Sequence, residues 1–254
     1  MNRFSIIIPS LNQAPFIEQT IQSILDQAYP AVEIIVMDGG STDGTIEILK
    51  RFGDKIQWIS EKDNGQASAI NKGIKIATGD ILAYLNSDDQ YLPYTLEVVN
   101  HFFQKHPTLH WATGDYHIID SKNEKIQSGI PKYKNIFKKW PYFSTLCLAN
   151  FIAQPSTFWR REAFEEIGFF NENLHYTMDY DYWLRLISQF PLGIIPQKLS
   201  CFRIHDSAKG STSFKAQFDE ELSVVKQHTP NSILIGLHRL HSWGIVTCYN
   251  RLKK

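Results

Sequence analysis

The chain has 254 residues, 43% of them hydrophobic, which is enough for a packed core in one large α/β domain or two small ones and excludes a disordered chain. Its 26 Lys and Arg balance 26 Asp and Glu, so no basic excess points to nucleic acid and no acidic excess to a solvating tail. The three cysteines, Cys147, Cys201 and Cys248, lie far apart with no CxxC pair, which speaks against a zinc site or a disulfide framework and fits a reducing cytoplasm.

In chain order, the apolar stretch inside "MNRFSIIIPSLNQ" is too short for a signal peptide, and "FSIIIPS" (4–10) reads as a buried strand. A helix follows, with Phe16, Ile17, Ile21, Ile24 and Leu25 at three- and four-residue steps. "EIIVMDGG" (33–40) is the next strand, and "STDGTIEILKRF" starts with cap-forming residues before a second helix. "IQWIS" (56–60), a helix over 66–77 and the strand "DILAYL" complete a run of alternating strands and helices, the pattern of βαβ units around a mainly parallel sheet. Pro93 suits the first turn of the helix carrying "TLEVVNHFFQKH".

Beyond about residue 110 the pattern changes. "HWATGDYHIIDSKNEKIQSG" reads as two strands around a polar turn, and "KYKNIFKKWPYFS", basic and aromatic without clear period, as a surface loop. "QPSTFWRREAFEEIG" is a strand and short helix, "DYDYWLRLISQF" an amphipathic helix, and "LGIIPQKLSCFRIH" one or two strands. No stretch holds the roughly 18 uninterrupted apolar residues of a membrane span, so the chain is expected to be soluble and cytoplasmic, at most touching the inner face of a membrane. The final stretch, "NSILIGLHRLHSWGIVTCYNRLKK", has two readings: a helix packed on the domain or in a homodimer interface, or an interfacial amphipathic helix making peripheral membrane contact.

Ligands of open parallel α/β sheets bind beyond the carboxyl ends of the strands. Polar clusters stand at those ends here: Pro9, Ser10 and Asn12; Asp38 to Asp43; Glu61 to Gln66; and Asn86, Ser87, Asp88 and Asp89. Adjacent carboxylates at Asp88 and Asp89 form a hard oxygen site suited to Mg²⁺ or Mn²⁺, though an Asp pair in a capped turn would look the same. Gly39, Gly40 and Gly44 let the backbone approach a ligand, Asp38 and Asp43 offer acceptors, and Asp63 follows in the next cluster. Gln66 and Asn71 add amides, and Lys62 and Lys72 are possible phosphate partners.

Four ordered segments together resemble the inverting nucleotide-sugar glycosyltransferases of family 2, over roughly residues 4–210: "SIIIPSLNQAPFIEQTIQSILDQAYPAVEIIVMDGGSTDGT", "DNGQASAINKGIKIATGDILAYLNSDD", "QPSTFWRREAFEEIGFFNENL" and "MDYDYWLRL". The resemblance implies a GT-A (Rossmann-like) α/β fold in which residues 1–115 bind a nucleotide-diphospho-sugar and residues 116–210 a saccharide or lipid-linked acceptor, with 211–254 as a helical tail. It also implies a divalent metal at the aspartate motif and a base on the sugar's far side, Asp179, with Asp181 as second choice. Gln154 and Trp159 could line the sugar or acceptor pocket, with packing in the core an equal reading for Trp159. His205 and Lys209, in "FRIHDSAKGSTS", would touch metal or diphosphate from a closing loop. Two positions depart from the commonest pattern: Gly39 where a second aspartate is frequent, and Asn86 in place of the first aspartate of Asp-x-Asp. The expected activity is sugar transfer in polysaccharide, lipopolysaccharide or other glycoconjugate synthesis, and the alternative is a catalytically impaired relative that binds nucleotide-sugar or carbohydrate.

Overall fold

The computed structural model describes residues 1–126, 129–205 and 214–252. Strands β1 (Phe4–Ser10), β2 (Val32–Asp38), β3 (Gln57–Ser60) and β4 (Ile81–Tyr84) alternate with helices α1 (Ile17–Leu25), α2 (Thr45–Arg51) and α3 (Gln66–Ile76). All four strands are parallel neighbours in the order β3-β2-β1-β4. Parallel strands covered on both faces need apolar residues at every position, and β1 is buried along its whole length. Its Ile7 joins the core on one face of the sheet, while Phe4, Ile6 and Ile8 join the core on the other. Each fully buried isoleucine contributes roughly 2 kcal/mol. Pro9, which cannot donate to a ladder, stands two residues beyond the β1–β4 pairing that ends at Ile7 and Tyr84.

The sheet continues through β8 (Thr157–Arg160), β6 (Trp111–Ile119), β9 (Leu192–Arg203) and the two-residue β5 (Gln90–Tyr91), while β7 (Lys125–Ile126) flanks β6. Here β6 and β9 run with β1 to β4, and β5, β7 and β8 run against them, so the sheet is mixed and parallel in its first half. Helix α4 (Thr95–Lys105) packs Leu96, Val99 and Phe103 into the core. Helices α7 (Arg161–Ile167) and α8 (Met178–Gln189) follow as expected, the second burying Trp183, Leu184 and Leu186.

The surface loop expected over "KYKNIFKKWPYFS" is instead two helices, α5 (Gly129–Phe137) and α6 (Phe143–Leu148). The reason is chemical: the inward stripe of α5 is Pro131, Lys134 and, just past its end, Lys138, so its hydrophobic periodicity points the wrong way. The register of β6 and β9 slips around Asp115, a bulge that turns the Asp115 carboxylate out of the ladder. It accepts from Lys138 Nζ at 2.6 Å and Asn135 Nδ2 at 2.7 Å, docking α5 through charge and hydrogen bonds rather than apolar contact.

The tail is helical, as α9 (Phe214–His228) and α10 (Ser232–Leu252). Val224 and Val225 of α9 enter the same core as Trp159 and Trp183, and buried His238 of α10 meets the Cys147 carbonyl of α6 at 2.9 Å.

Candidate active site

The carboxyl ends of β1, β2, β3 and β4 meet on one edge, where the loops are tied together. Asn12, in the left-handed region at φ 53°, accepts from the Thr42 amide, and its own amide donates to Ser41 Oγ. The Ala14 amide donates to Asp43, the Gln13 amide to Thr45 Oγ1, and the Gly39 amide to the Ser10 carbonyl. Asp38 is buried and accepts four hydrogen bonds, from the amides of Gly40 and Ser41 and the hydroxyls of Ser41 and Ser60. Its carboxylate therefore shapes the loop that was expected to present it to a ligand. A Cβ on Gly39 would lie 3.0 Å from Asp63 Oδ2, so the residue standing where the family often has aspartate leaves room for Asp63. Asp63 in turn accepts from the Gly65 amide ahead of α3.

The corner after β4 separates its two aspartates. Asp89 is 0% exposed, accepting from the Arg203 amide at 2.8 Å and from Asn86 Nδ2 at 3.4 Å. Burial, with Asp88 beside it, pushes the Asp89 carboxyl well above the usual carboxylate range. Asp88 is only partly buried, and its Oδ2 lies 3.0 Å from His205 Nε2. The Arg203 guanidinium donates to the Asp88 and Asp120 carbonyls and sits over the Phe16 ring, fixing the corner against α1. Ser87 is buried, its carbonyl held by the Thr20 hydroxyl. Among the described residues no three His, Cys, Asp or Glu side chains gather as a metal cluster.

Asn86 connects this corner to both halves. Its oxygen accepts from Gln66 Nε2 at 2.7 Å, and its amide nitrogen donates to Gln154 Oε1 at 3.1 Å as well as toward Asp89. An aspartate there would carry no donor for either partner and would add a like charge beside a buried carboxylate. Gln154 also donates to the Tyr84 carbonyl at the end of β4. Pro9 and Ser10 are buried at the end of β1, and the Ser10 hydroxyl has no hydrogen-bond partner among the described residues.

The second acidic motif opens α8. Asp179 accepts from the Tyr180 amide, and no side chain among the described residues donates to it. Burial raises its carboxyl above the usual range, against the lowering pull of that bond and of the Lys134 charge. Burial also brings Lys134 down to about 8 and Glu221 up to about 7, each within the field of Asp179. The buried Tyr84 phenol feels both Asp179 and Asp89, so the end of β4 lies between the two acidic motifs. Asp181 is committed elsewhere: Arg185 Nε donates to it at 3.0 Å and His228 Nε2 lies 2.8 Å away. Burial would raise it, but the His228 bond and the Arg185 charge outweigh that and hold it below the usual range. Both oxygens of this second choice for a base thus already have a partner.

Two further expectations change. Asn71 is buried, donating to the Phe170 carbonyl and Glu172 and accepting from the Phe170 amide, so it clamps a loop 99 residues away and offers no group to the edge. Trp159 is fully buried among Phe170, Tyr182 and Trp183 and cannot line a sugar pocket. Lys72 pairs with Glu61 at 2.6 Å. Lys209 lies outside the described residues. Sequence reading missed Lys134, Glu220, Glu221 and His228, which approach α8 from α5 and α9. Only the four-residue spacing of Lys134 and Lys138 hinted that a helix placed them there.

With this geometry in place, known proteins give a consistent comparison. The model of "Glycosyl transferase family 2" matches residues 5–168. An uncharacterized glycosyltransferase of Rickettsia typhi is 32% identical over 218 residues, covering 82% of this chain and 66% of the relative. A second, from Rickettsia conorii, is 32% identical over 87% of this chain but only 37% of its own length, so the chain spans a part of these relatives. A PGL/p-HBAD biosynthesis glycosyltransferase of Mycobacterium bovis is 32% identical over 73% of this chain and 70% of its own. Among solved structures, S. aureus TarS 1–349 in complex with UDP-GlcNAc superposes with TM-score 0.72 at 16% identity, covering 90% of this chain and 67% of that one. The mannosyltransferase PcManGT from Pyrobaculum calidifontis, in complex with GDP-Man and Mn²⁺, gives 0.70 at 16%, covering 99% and 80%. At such identities the structural likeness speaks for the fold alone, which is the expected GT-A architecture.

Proposed function

The chain belongs to glycosyl transferase family 2, and we propose that it moves a glycosyl group from a nucleotide-diphospho-sugar to the hydroxyl of a saccharide or lipid-linked acceptor, with inversion at the anomeric carbon. The observation that carries this reading is the division of labour between carboxylates. Asp88 stands beside an imidazole at the edge of the parallel strands, and Asp179, whose charge reaches the buried Tyr84 phenol, has a raised pKa and no side-chain donor among the described residues. Carboxylates in such different surroundings, one beside an imidazole and one buried without a side-chain donor among the described residues, suit separate duties.

In this reading the loops after β1, β2 and β3 bind the nucleotide, through Asn12, Gly40, Asp63 and backbone groups that the internal hydrogen bonds of Asp38 hold in place. Asn86 and Gln154 orient the sugar, joined as they are across the two halves. Asp179 takes the proton of the acceptor hydroxyl as the new C–O bond forms on the face opposite the diphosphate. The bond from the anomeric carbon to the diphosphate oxygen breaks, and its electron pair leaves with the nucleoside diphosphate. A pKa above that of an ordinary carboxylate makes Asp179 a stronger base.

A carboxylate oxygen and an imidazole nitrogen 3.0 Å apart are a donor pair suited to Mn²⁺ or Mg²⁺, which fill their remaining positions with water and phosphate oxygens. Asp88 and His205 would hold the cation, while Asp89, enclosed and bonded inward, would keep the corner rigid. Such an ion supplies Lewis-acid neutralisation of the departing diphosphate. That PcManGT was solved with GDP-Man and Mn²⁺ supports the choice of metal. The relatives' names support a place in glycoconjugate synthesis.

The test is release of nucleoside diphosphate from a panel of nucleotide-sugars with Mn²⁺ or Mg²⁺. One donor should show release that chelation stops and Asp88→Asn sharply lowers. A donor that raises the melting temperature yet yields no diphosphate with either ion and any acceptor would mark a binding protein instead.

A further inference from the structure

Helix α5 is built inside out. Lys134 and Lys138 point inward, with Lys134 Nζ donating to the Ile152 carbonyl and Lys138 Nζ to the Gly114 carbonyl and Asp115. Its apolar residues Ile130, Tyr133 and Ile136, with Trp140 just beyond, are exposed. Helix α10 has a second exposed stripe at three- and four-residue steps, Ile233, Leu237, Leu240 and Trp243, while its opposite side packs Leu234, Ile235 and His238 onto the domain. The two helices are joined, because Tyr133 stacks on His241 at 6.1 Å between ring centroids and the two side chains share a hydrogen bond. Large side chains at this exposure, Trp140 at 57% and Trp243 at 65%, stand on two helices linked through Tyr133 and His241, so two exposed apolar stripes lie on joined elements rather than as scattered surface residues.

Charge identifies what covers it. In a chain whose basic and acidic residues are equal in number, the stretches 125–161 and 222–254 that carry this face hold no Asp or Glu. Lys132 and Lys139 are exposed around α5, and Arg239 is exposed on α10. A second copy of this face would set these cations against their own counterparts. An anionic lipid surface would attract them and accept the tryptophans at headgroup depth. Among the described residues no helix is long and apolar enough to cross a membrane, so the face would lie on the bilayer.

We infer that α5 and α10 form one interfacial surface that docks the protein on membranes rich in anionic phospholipid. The same helix α5 also carries Lys134, which points inward and whose charge reaches Asp179.

Flotation of the full chain with vesicles of phosphatidylglycerol and phosphatidylcholine tests this, against phosphatidylcholine alone. Binding should require phosphatidylglycerol and fall by at least about tenfold in the triple variant Lys132→Glu, Lys139→Glu, Arg239→Glu. It should fall comparably in the double variant Trp140→Ser, Trp243→Ser, both variants keeping the parent melting temperature because the sites are exposed. The inference is overturned if the chain stays unbound on anionic vesicles or if the tryptophan variant binds like the parent. Sedimentation equilibrium giving a dimer that the tryptophan variant disperses would also overturn it, since the face would then be a contact between copies.

Discussion

Asp179 and Asp181 differ by two positions, yet their surroundings send them in opposite directions. Asp181 gains His228 and Arg185 and becomes an anchor, while Asp179 gains burial, a single amide and a distant ammonium. Both are first-turn acids of one helix, favoured there by its dipole, so nothing local in "MDYDYW" distinguishes them; the partners come from α9 and α5. If Asp179 is the base, Asp179→Asn should lower turnover by about 10²- to 10⁴-fold. A base on the acceptor side of the sugar would not touch the nucleotide, so calorimetric affinity for the donor nucleotide should stay within a factor of about two. Comparable loss of nucleotide affinity would remove it from that role. Asn71 and Trp159 show the same limit of local reading. An amide next to a lysine and a tryptophan next to arginines look ligand-facing, but which groups saturate or enclose them is decided by Phe170, which lies far along the chain from Asn71.

The strands and helices up to α4 are legible because each carries its period openly: continuous apolar runs for strands buried on both faces, three- and four-residue steps for the helices between. Helix α5 breaks that code by burying lysines, and its bonds to the Asp115 bulge cannot be seen without β6 and β9 in place. Helix α8 hides a similar dependence. Its first turn has no side-chain cap of its own. Instead Glu220 of α9 accepts from the amides of His175, Tyr176 and Thr177 and from the Thr177 hydroxyl. Burial would raise Glu220, but these donors hold it below the usual carboxylate range. Removing a carboxylate that satisfies the N-cap amide of Thr177 and the two amides before it costs about 2 kcal/mol. Glu220→Ala should therefore lower the unfolding free energy by about that amount in urea titrations. A loss under about 0.5 kcal/mol, the range of an ordinary surface substitution, would show that water caps α8 equally well.

Across the whole molecule, α9 ties the tail to the candidate site: Glu220 caps α8, His228 holds Asp181, and Val224 and Val225 enter the core. Between them Glu221 is nearly enclosed, and burial followed by repulsion from Asp179 raises it to about 7 from an ordinary 4.5. This convergence of residues near 134, 179 and 221 is a property of the folded chain that no single segment announces. It has a global signature. A carboxyl whose pKa is higher folded than unfolded binds its proton more tightly in the native state, so stability falls as pH rises from about 4.5 through about 7. The shift corresponds to about 3 kcal/mol between those limits, an upper value for one group. Glu220, with a lowered pKa, contributes in the opposite sense, losing its stabilisation only in acid below the ordinary glutamate range. Unfolding free energies measured between pH 5 and 8 should therefore decline more steeply in the parent than in Glu221→Gln, whose neutral amide keeps the shape and cannot ionise. The variant should become the more stable protein at pH 8, and parallel curves would mean that Glu221 ionises in the native state as freely as in the unfolded chain.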